Sequence, residues 1–469
     1  MELLRDLPVC VQQEHLLLSR EYFRRRGISL GPSSIPSVLQ LMGPLDYEVA
    51  ERALNEIVKR HSALPTEFTE ADDISHAERN AEIDSFAKCG VFRPGLYRQS
   101  IQAEAPIGFR IVDLSSVTPA NRDVELRRTI ALESSMEFNY RRPPLLRAAL
   151  IRMEPAEHLL VLTVDHLVSD AWSMRMLRRE FSHLYSRFQG GQPHSLEEPA
   201  FSFADYAVYQ ERAARLGAFD LAMAYWGRQW AAFGAARVAF GDFLFASSSP
   251  SSPSYTFASE VVSFPRATSQ AIRMFARLSR VTLYAFFLAA YTRLLHRLTG
   301  RTLLGIWGHF ANRMKPESHH LCGWLATTHL IGLDLTSNPT FSSLMQQARR
   351  TILAGAEHQE LPVALLWRNM GGYPRHPDAK VLLDVSSAEQ IEYGVDRELK
   401  IVHAPHLTPS FGRFSNLGLY IRDTADEIQV TAQYSEDRFK QCAVRSLLTD
   451  FQTVVLTALD HPDSQVTQS

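Results

Sequence analysis

"VDHLVSDAWSM" (Val164–Met174) joins an apolar segment to an amphipathic one, and it decides how the N-terminal part of the chain folds. The residues just before His166, HLLVLTVD, have the unbroken apolar character of a buried strand. Beyond the stretch, apolar residues recur at spacings of four, three and four from Leu177 to Phe188, which predicts an amphipathic helix. His166 therefore lies at a strand end, where a side chain can leave a core and enter a cleft.

The segments around this stretch predict two α/β lobes. PLLRAALIRM and HLLVLTVDH, separated by the polar turn EPAE, predict adjacent antiparallel strands. Later, LYAFFLAAYTRLLHRLTG predicts a long buried helix closed by Gly300, followed by the strand TLLGIWGH and a helix over 340–356. FSNLGLYIRD and EIQVTAQYS predict two strands before a final helix from about Asp437. Strand–helix layers thus occur before residue 190 and again after it, which predicts an α/β sandwich in lobes 1–190 and 191–469.

Composition narrows the classes of function. At 469 residues the chain is too long for one ordinary core, and its 45% hydrophobic and 21% charged residues are those of a globular protein. The formal net charge of −2 argues against nucleic acid or a membrane surface as partner, and the N-terminus lacks the pattern of a signal peptide. Four scattered cysteines indicate reduced thiols, so we expect a cytoplasmic protein. His309 and the pair His319–His320 lack accompanying carboxylates, so we expect no metal site.

The polar residues of the opening stretch allow two interpretations. A histidine has an ordinary pKa near 6.5, which suits accepting a proton from an attacking amine or hydroxyl at neutral pH. Asp170, four residues after His166, would orient the histidine or pair with an arginine and brace the loop. The second interpretation is a structural histidine at a strand end, with Asp170 or Ser169 capping the following helix.

Seven segments, in order along the chain, resemble motifs of the condensation domains of nonribosomal peptide synthetases. VDHLVSDAWS is similar to the active-site motif HHxxxDGWS of that family. KRHSALPTEF resembles RHExLRTxF, FADYAVYQ resembles YxDYAVWQ, and HQELPV resembles HQDYPF. VQQEHLLLS, the segment GHFANRMKPESHHLCGWLATT and GRFSNLGLYI show looser likeness to AQxRLW, to the region leading into GxFVNT and to RDxSRNPL.

The resemblance implies a fold and an activity. The fold would be two lobes similar to chloramphenicol acetyltransferase, arranged as a V with the active site at their junction. The activity would be acyl transfer: an acyl or aminoacyl thioester on the phosphopantetheine arm of a carrier protein would pass to a small-molecule amine or alcohol, forming an amide or ester. Such a site works by aligning two reactants and excluding water. We expect no cofactor beyond this arm or, instead of it, a CoA thioester, and a free-standing, monomeric enzyme.

The resemblance also assigns roles to residues. His166 matches the catalytic histidine, and we expect Asp165 and Asp170 to belong to the catalytic site with it. In the family the aspartate that matches Asp170 forms an ion pair with an arginine from the other lobe. In this chain Arg313 is the candidate for that arginine. We expect Ala171, Ser173 and Trp324 to line the substrate channel.

Two departures from the motif leave the chemistry open. Asp165 replaces the first motif histidine, and it would hydrogen-bond His166, bind an amine acceptor or be structural. Ala171 replaces the motif glycine, which would narrow the channel or disfavour a positive φ angle. With Asp165, the stretch also fits DxxxxDxxS, which resembles heterocyclization domains, although these normally lack a histidine at position 166. The stretch is compatible as well with a CoA-dependent acyltransferase or a non-catalytic carrier-binding scaffold.

Overall fold

The computed structural model describes residues 6–27, 33–89, 93–237, 257–372, 381–387, 392–395, 399–408 and 416–466. The chain forms two compact units. The first comprises Met1–Ala218, Ala311–Ala326 and Gln390–Phe411, and the second comprises Phe219–Phe310, Thr327–Glu389 and Gly412–Ser469. This grouping differs from the single boundary predicted between residues 190 and 191, because the chain up to Ala218 and two short later segments belong to the first unit.

The elements alternate along the chain as an α/β protein requires. The strands are β1 (Leu7–Pro8), β2 (Ser34–Met42), β3 (Thr66–Glu70), β4 (Tyr97–Ile101), β5 (Gly108–Asp113), β6 (Leu146–Glu154), β7 (Glu157–Asp165), β8 (Phe257–Phe264), β9 (Leu303–Phe310), β10 (Thr327–Asp334), β11 (Val381–Ser387), β12 (Glu392–Val395), β13 (Leu399–His403), β14 (Leu417–Asp423) and β15 (Ile428–Ser435). The helices are α1 (Val11–Arg25), α2 (Tyr47–Arg60), α3 (His76–Cys89), α4 (Pro119–Ser135), α5 (Ala171–Gln189), α6 (Phe203–Arg215), α7 (Asp220–Phe233), α8 (Arg266–Leu278), α9 (Leu283–Thr299), α10 (Phe341–Ala356), α11 (Val363–Asn369) and α12 (Gln441–Asp460), with a 3₁₀ turn at Pro316–His320.

The first unit is organised by a six-stranded sheet in the order β12-β13-β2-β7-β6-β5. The predicted antiparallel pair is confirmed as β6 and β7, with Leu146 opposite Val164. Every residue of β7 after the first is buried, because helices cover the sheet and the strand runs through its centre. The helix α4 packs on one face through Leu126 and Ile130. His166 therefore directly follows the end of a buried central strand, where Asp165 lies opposite Ser34 of β2.

The second unit has its own six-stranded sheet, in the order β10-β9-β11-β14-β15-β8. The predicted long helix is confirmed as α9, whose residues from Ala285 to Leu295 are all buried. It ends at Gly300, which adopts the left-handed conformation (φ 68°) that glycine tolerates best. The predicted strands and helix that follow are confirmed as β9, α10, β14 and β15, and the final helix begins at Gln441.

The helix α12 is the one helix of the described residues with the length and apolar composition of a membrane span. Its apolar side chains, from Val444 to Val455, are buried within the second unit, where α12 contacts α9, β8 and β15. This packing is that of a core helix in a globular domain.

A buried histidine in the second unit makes its stability depend on pH. His329, on β10, is 1% exposed and its ring lies flat on the indole of Trp226, with 4.0 Å between centroids and 5° between planes. The indole Nε1–H of Trp226 donates to the carbonyl of His358 at 2.7 Å. Burial lowers the pKa of His329 to about 3, because the imidazolium would lose its hydration there.

We expect His329→Phe to weaken the acid sensitivity of the second unit. The unfolded chain takes up a proton on this histidine below pH 6.5, whereas the folded chain does so only near pH 3. The contribution of neutral His329 to the free energy of unfolding is therefore fully present above pH 6.5. It falls on acidification, by about 2 kcal/mol between pH 7 and pH 5. Urea unfolding at both pH values should show a loss of stability between pH 7 and pH 5 that is smaller in the variant than in the wild type by about 2 kcal/mol. An equal pH dependence in both proteins would contradict the assignment.

Candidate active site

The turn between β7 and α5 carries the polar residues of the motif. Asp165 is the last residue of β7, and Asp170 is the N-cap of α5 in extended conformation. The carboxylate of Asp170 accepts a hydrogen bond from the backbone N–H of Ser173 at 2.8 Å, as N-cap aspartates commonly do. Because the turn that connects the strand to the helix is short, His166 is held between two fixed ends.

His166 is fixed by its backbone and by one ring nitrogen. Its N–H donates to the carbonyl of Ser33 at 2.8 Å. Its Nδ1 lies 2.7 Å from the carbonyl of Ser169, which accepts but cannot donate, so the proton of the neutral imidazole is on Nδ1. The ring also lies against the indole of Trp324, with 4.1 Å between centroids and 31° between planes. The basic lone pair of this tautomer is on Nε2, the atom that would accept a proton from a substrate.

Burial dominates the protonation of His166. The side chain is 8% exposed, and loss of hydration lowers its pKa below the ordinary value. The carbonyl of Ser169 and the negative charges of Asp170 and Asp165 act in the opposite direction and are outweighed. The imidazole is therefore neutral at pH 7, which is the state that a general base requires.

Asp170 and Arg313 form the centre of a buried network. The guanidinium Nη2 of Arg313 lies 3.2 Å from both carboxylate oxygens of Asp170, and both side chains are almost fully buried. The second carboxylate oxygen also accepts from the backbone N–H groups of Leu325 and Ala326, at 3.1 and 3.2 Å. The carboxylate is thus fully engaged with backbone and arginine, and its role is to hold the segment 311–326 against the start of α5.

The family resemblance predicts Arg313 as the partner of Asp170, and the structure places it there. One part of that expectation is wrong, since the arginine does not come from the other lobe. The segment Ala311–Ala326 belongs by its contacts to the first unit, and so does Asp170. The ion pair is therefore an internal contact of one unit.

Ser173 does not have the expected place in a substrate channel, whereas the place of Ala171 in such a channel stays a prediction. Ser173 is completely buried, and its hydroxyl lies 2.9 Å from Asp170 and 3.0 Å from the carbonyl of Gly323, so it belongs to the network. Ala171 is exposed as the first residue of α5. Its backbone is helical as part of α5, and it is not among the described residues with positive φ, so alanine at this position brings no backbone strain.

The carboxylate of Asp165 forms an ion pair with an arginine. The guanidinium Nη2 of Arg20, on α1, lies 2.8 and 2.9 Å from its two carboxylate oxygens. Asp165 also accepts from the backbone N–H of Leu167 at 2.9 Å. Of the three roles considered for Asp165, these contacts support the structural one.

Two contributions of α1 to the site are not evident from the sequence. Arg20 carries no motif signal, and its charge, opposite to that of Asp165, is the one feature that indicates the pairing. Gln13, whose side-chain amide donates to the carbonyl of Leu167 at 2.8 Å, lies in VQQEHLLLS, the segment with loose likeness to a family motif. That likeness is the signal that could have indicated a contact to the active-site loop.

The histidines considered for a metal site have other contacts. His309 Nδ1 lies 2.9 Å from the hydroxyl of Thr328, and His319 Nε2 lies 2.9 Å from the carbonyl of Arg313. In the part of the chain that the structure describes, His, Cys, Asp and Glu side chains form no group of three or more that could hold a metal ion.

The chain is similar to known proteins over nearly its whole length. A family model described as "Condensation domain" matches residues 91–469. Chondramide synthase of Chondromyces crocatus is 26% identical over 442 residues, which are 92% of this chain and 10% of that protein. The chain spans between 3% and 10% of the length of such relatives, so it corresponds to one part of much larger proteins.

Solved structures share the fold at low identity. The X-domain from teicoplanin biosynthesis has a TM-score of 0.78 and 20% identity, covering 98% of this chain and 97% of that domain. A complex of that X-domain with OxyB has a TM-score of 0.77 for the matched chain. SgcC5 of Streptomyces globisporus has a TM-score of 0.72 and 22% identity, covering 93% and 94%. The predicted chloramphenicol acetyltransferase-like α/β fold class is thereby confirmed.

We expect Arg313→Met to destabilise the first unit by about 3–5 kcal/mol, because it leaves the buried carboxylate of Asp170 without its counter-charge. Arg127→Met is the matched control, since Arg127 and Asp123 form an ion pair at 2.9 Å with both side chains more than 60% exposed. Such a pair contributes less than about 1 kcal/mol. Chemical unfolding of both variants measures the difference, and equal effects would refute the network's role.

We expect Trp324→Ala to raise the pKa of His166 towards its ordinary value, because water then reaches the imidazole and stabilises its charged form. NMR titration of the histidine ring carbons, with His166 assigned from a His166→Gln variant, measures this. Trp367→Ala is the control, since the Trp367 indole belongs to the second unit, where it lies against Trp307. A pKa of His166 unchanged by Trp324→Ala would show that the indole does not shield it.

Proposed function

Because this chain belongs to the condensation-domain family, we propose that it is an acyltransferase that joins a carrier-protein-bound acyl or aminoacyl thioester to an amine or alcohol. The observation that carries the proposal is the state of His166. It is buried, fixed by Ser169 and Trp324, and neutral with its basic lone pair on Nε2. A general base at pH 7 needs a neutral ring with a lone pair on one nitrogen, and the Nδ1 tautomer of His166 provides this on Nε2.

The reaction proceeds by attack of the acceptor on the thioester. The amine nitrogen or alcohol oxygen forms a bond to the carbonyl carbon as His166 Nε2 takes its proton, giving a tetrahedral intermediate. Collapse of the intermediate breaks the carbon–sulfur bond, and the proton passes from His166 to the departing thiolate. The products are an amide or ester and a free thiol, so protons and electrons balance. Holding both reactants in line supplies a large part of the rate, up to about 7–11 kcal/mol for well-oriented groups.

Asp170 supports this chemistry without taking part in proton transfer. Its carboxylate is fully engaged by Arg313, Ser173 and the backbone of the segment 311–326. That segment carries Trp324, the ring that covers His166. Asp170 thus acts as a positioning residue, because it fixes both the turn that carries the histidine and the segment that shields it.

Heterocyclization finds less support in the site. Of the three residues of the DxxxxDxxS pattern, Asp165 is paired with Arg20, Asp170 with Arg313, and Ser173 is buried in the network. A role in dehydrating a substrate would require at least one of them to leave its partners. His166, by contrast, is present and poised as a base.

A binding module is the second candidate, and one comparison favours it. The X-domain from teicoplanin biosynthesis, which shares this fold, forms a complex with OxyB. Such a module would bind a carrier protein or a partner enzyme without forming a product. The changed motif residues, Asp165 and Ala171, are compatible with it.

We expect His166→Ala to lower turnover by about 10²- to 10⁴-fold, the usual contribution of a general base. Purified chain, an acyl-loaded carrier protein and a panel of amines and alcohols are combined, and amide or ester product is quantified by mass spectrometry. The same acyl group on CoA, in a parallel reaction, distinguishes the carrier from CoA as donor. His76→Ala, a change of an exposed histidine on α3, should keep full turnover.

Each contrary outcome has a definite meaning. Full turnover by His166→Ala would remove the proposed role of that histidine. Complex formation with the carrier but no product from any acceptor would favour the binding module. A product that has lost one further water, as a thiazoline or oxazoline would, would favour heterocyclization.

A further inference from the structure

The ion pair between Arg20 and Asp165 lies directly beside the proposed base. Asp165 precedes His166 in the chain and is 2% exposed, so its charge requires a partner. Arg20 supplies it from α1, 145 residues earlier in the sequence, at 2.8 and 2.9 Å to the two carboxylate oxygens. The side chain of Arg20 is 18% exposed, so the pair is screened little by solvent.

Asp165 and α1 together hold the backbone on both sides of His166. The carboxylate of Asp165 accepts from the N–H of Leu167, and its carbonyl accepts from the N–H of Val168 at 3.1 Å. Gln13, seven residues before Arg20, donates to the carbonyl of Leu167. Seven residues are about two helical turns, so Gln13 and Arg20 lie on the same face of α1. One helix face therefore contacts the residue before His166 and the residue after it.

Each of the two carboxylates near His166 forms an ion pair with an arginine. Asp165 is one residue before it and pairs with Arg20, and Asp170 is four residues after it and pairs with Arg313. Arg147 on β6 is a further cation in range of Asp165, and its guanidinium donates to backbone carbonyls such as that of Glu133. Both carboxylates act to raise the pKa of His166, yet burial outweighs them. Each carboxylate has a paired arginine, whose positive charge opposes the effect of that carboxylate on the imidazole.

We propose that Arg20 is a positioning residue that fixes the loop around His166 and cancels the charge that Asp165 would otherwise present to the imidazole, which keeps His166 able to accept a proton. The proposal rests on the proposed function for its effect on rate. Its electrostatic part concerns His166 alone.

Three variants separate charge from structure. Arg20→Gln leaves the carboxylate of Asp165 uncompensated, so the pKa of His166 should rise. Asp165→Asn leaves the guanidinium uncompensated, so the pKa should fall. The double variant Arg20→Gln/Asp165→Asn removes both charges, and the pKa should return close to that of the wild type. The pKa is measured by NMR titration of ¹³C-labelled histidine rings in the full chain, without any substrate.

A matched control comes from the second unit. Arg273 and Asp423 form an ion pair at 2.8 Å whose side chains are partly buried, as that of Arg20 is. Arg273→Gln should weaken stability in urea unfolding but leave the titration of His166 unchanged. Near-ultraviolet circular dichroism establishes that each variant is folded. If Asp165→Asn fails to fold, the rise expected for Arg20→Gln still decides the proposal.

The outcomes distinguish this inference from the proposed function. No change of the His166 pKa in folded Arg20→Gln, or shifts of Arg20→Gln and Asp165→Asn in the same direction, would overturn the charge role. Opposite shifts support it. In the carrier-protein assay, the acidic limb of the pH–rate profile of Arg20→Gln should then move to higher pH. Opposite shifts in the titration with no such movement would leave the ion-pair role standing and contradict His166 as the base.

Discussion

The buried carboxylate of Asp170 is the constraint on which the site depends. It caps α5, forms an ion pair with Arg313 and accepts hydrogen bonds from two backbone N–H groups of the segment 311–326. A carboxylate in this environment is stable only when every lone pair has a partner, so the strand end, the helix start and the segment must all be in place together. The segment in turn carries Trp324 onto the ring of His166. Gly323 adds a steric constraint, because a Cβ there would lie 2.1 Å from the ring of Phe203.

The second constraint is electrostatic. A histidine near two aspartates would ordinarily be driven towards its charged form. In this chain each aspartate has its own arginine, Arg20 for Asp165 and Arg313 for Asp170, and burial outweighs the two negative charges in setting the pKa of the imidazole. The contact of Nδ1 with the carbonyl of Ser169 then selects the tautomer. Packing, charge pairing and one hydrogen bond together give a neutral imidazole that is buried from solvent.

The sequence predicted the parts of this arrangement that depend on local pattern. The apolar run of β7, the periodicity of α5 and the Asp170 cap are all determined within a few residues, and the ordered motifs indicated the family and Arg313. The partner of Asp165 could not be predicted from the sequence, because Arg20 is 145 residues away along the chain and arginines are common on protein surfaces. Ser173 was wrongly predicted to line the substrate channel, because a motif gives the spacing of residues but not their burial. The helical backbone at Ala171 likewise depends on where α5 begins, which a comparison with glycine in the motif does not reveal.

The central claim is that His166 is a neutral base with its proton on Nδ1. The most direct measurement is the ¹⁵N chemical shifts of its imidazole at pH 7, assigned by comparison with His166→Gln. The structure predicts a protonated Nδ1 and an unprotonated Nε2, since the carbonyl of Ser169 lies 2.7 Å from Nδ1 and burial lowers the pKa. Two protonated nitrogens, or a proton on Nε2 alone, would contradict the claim.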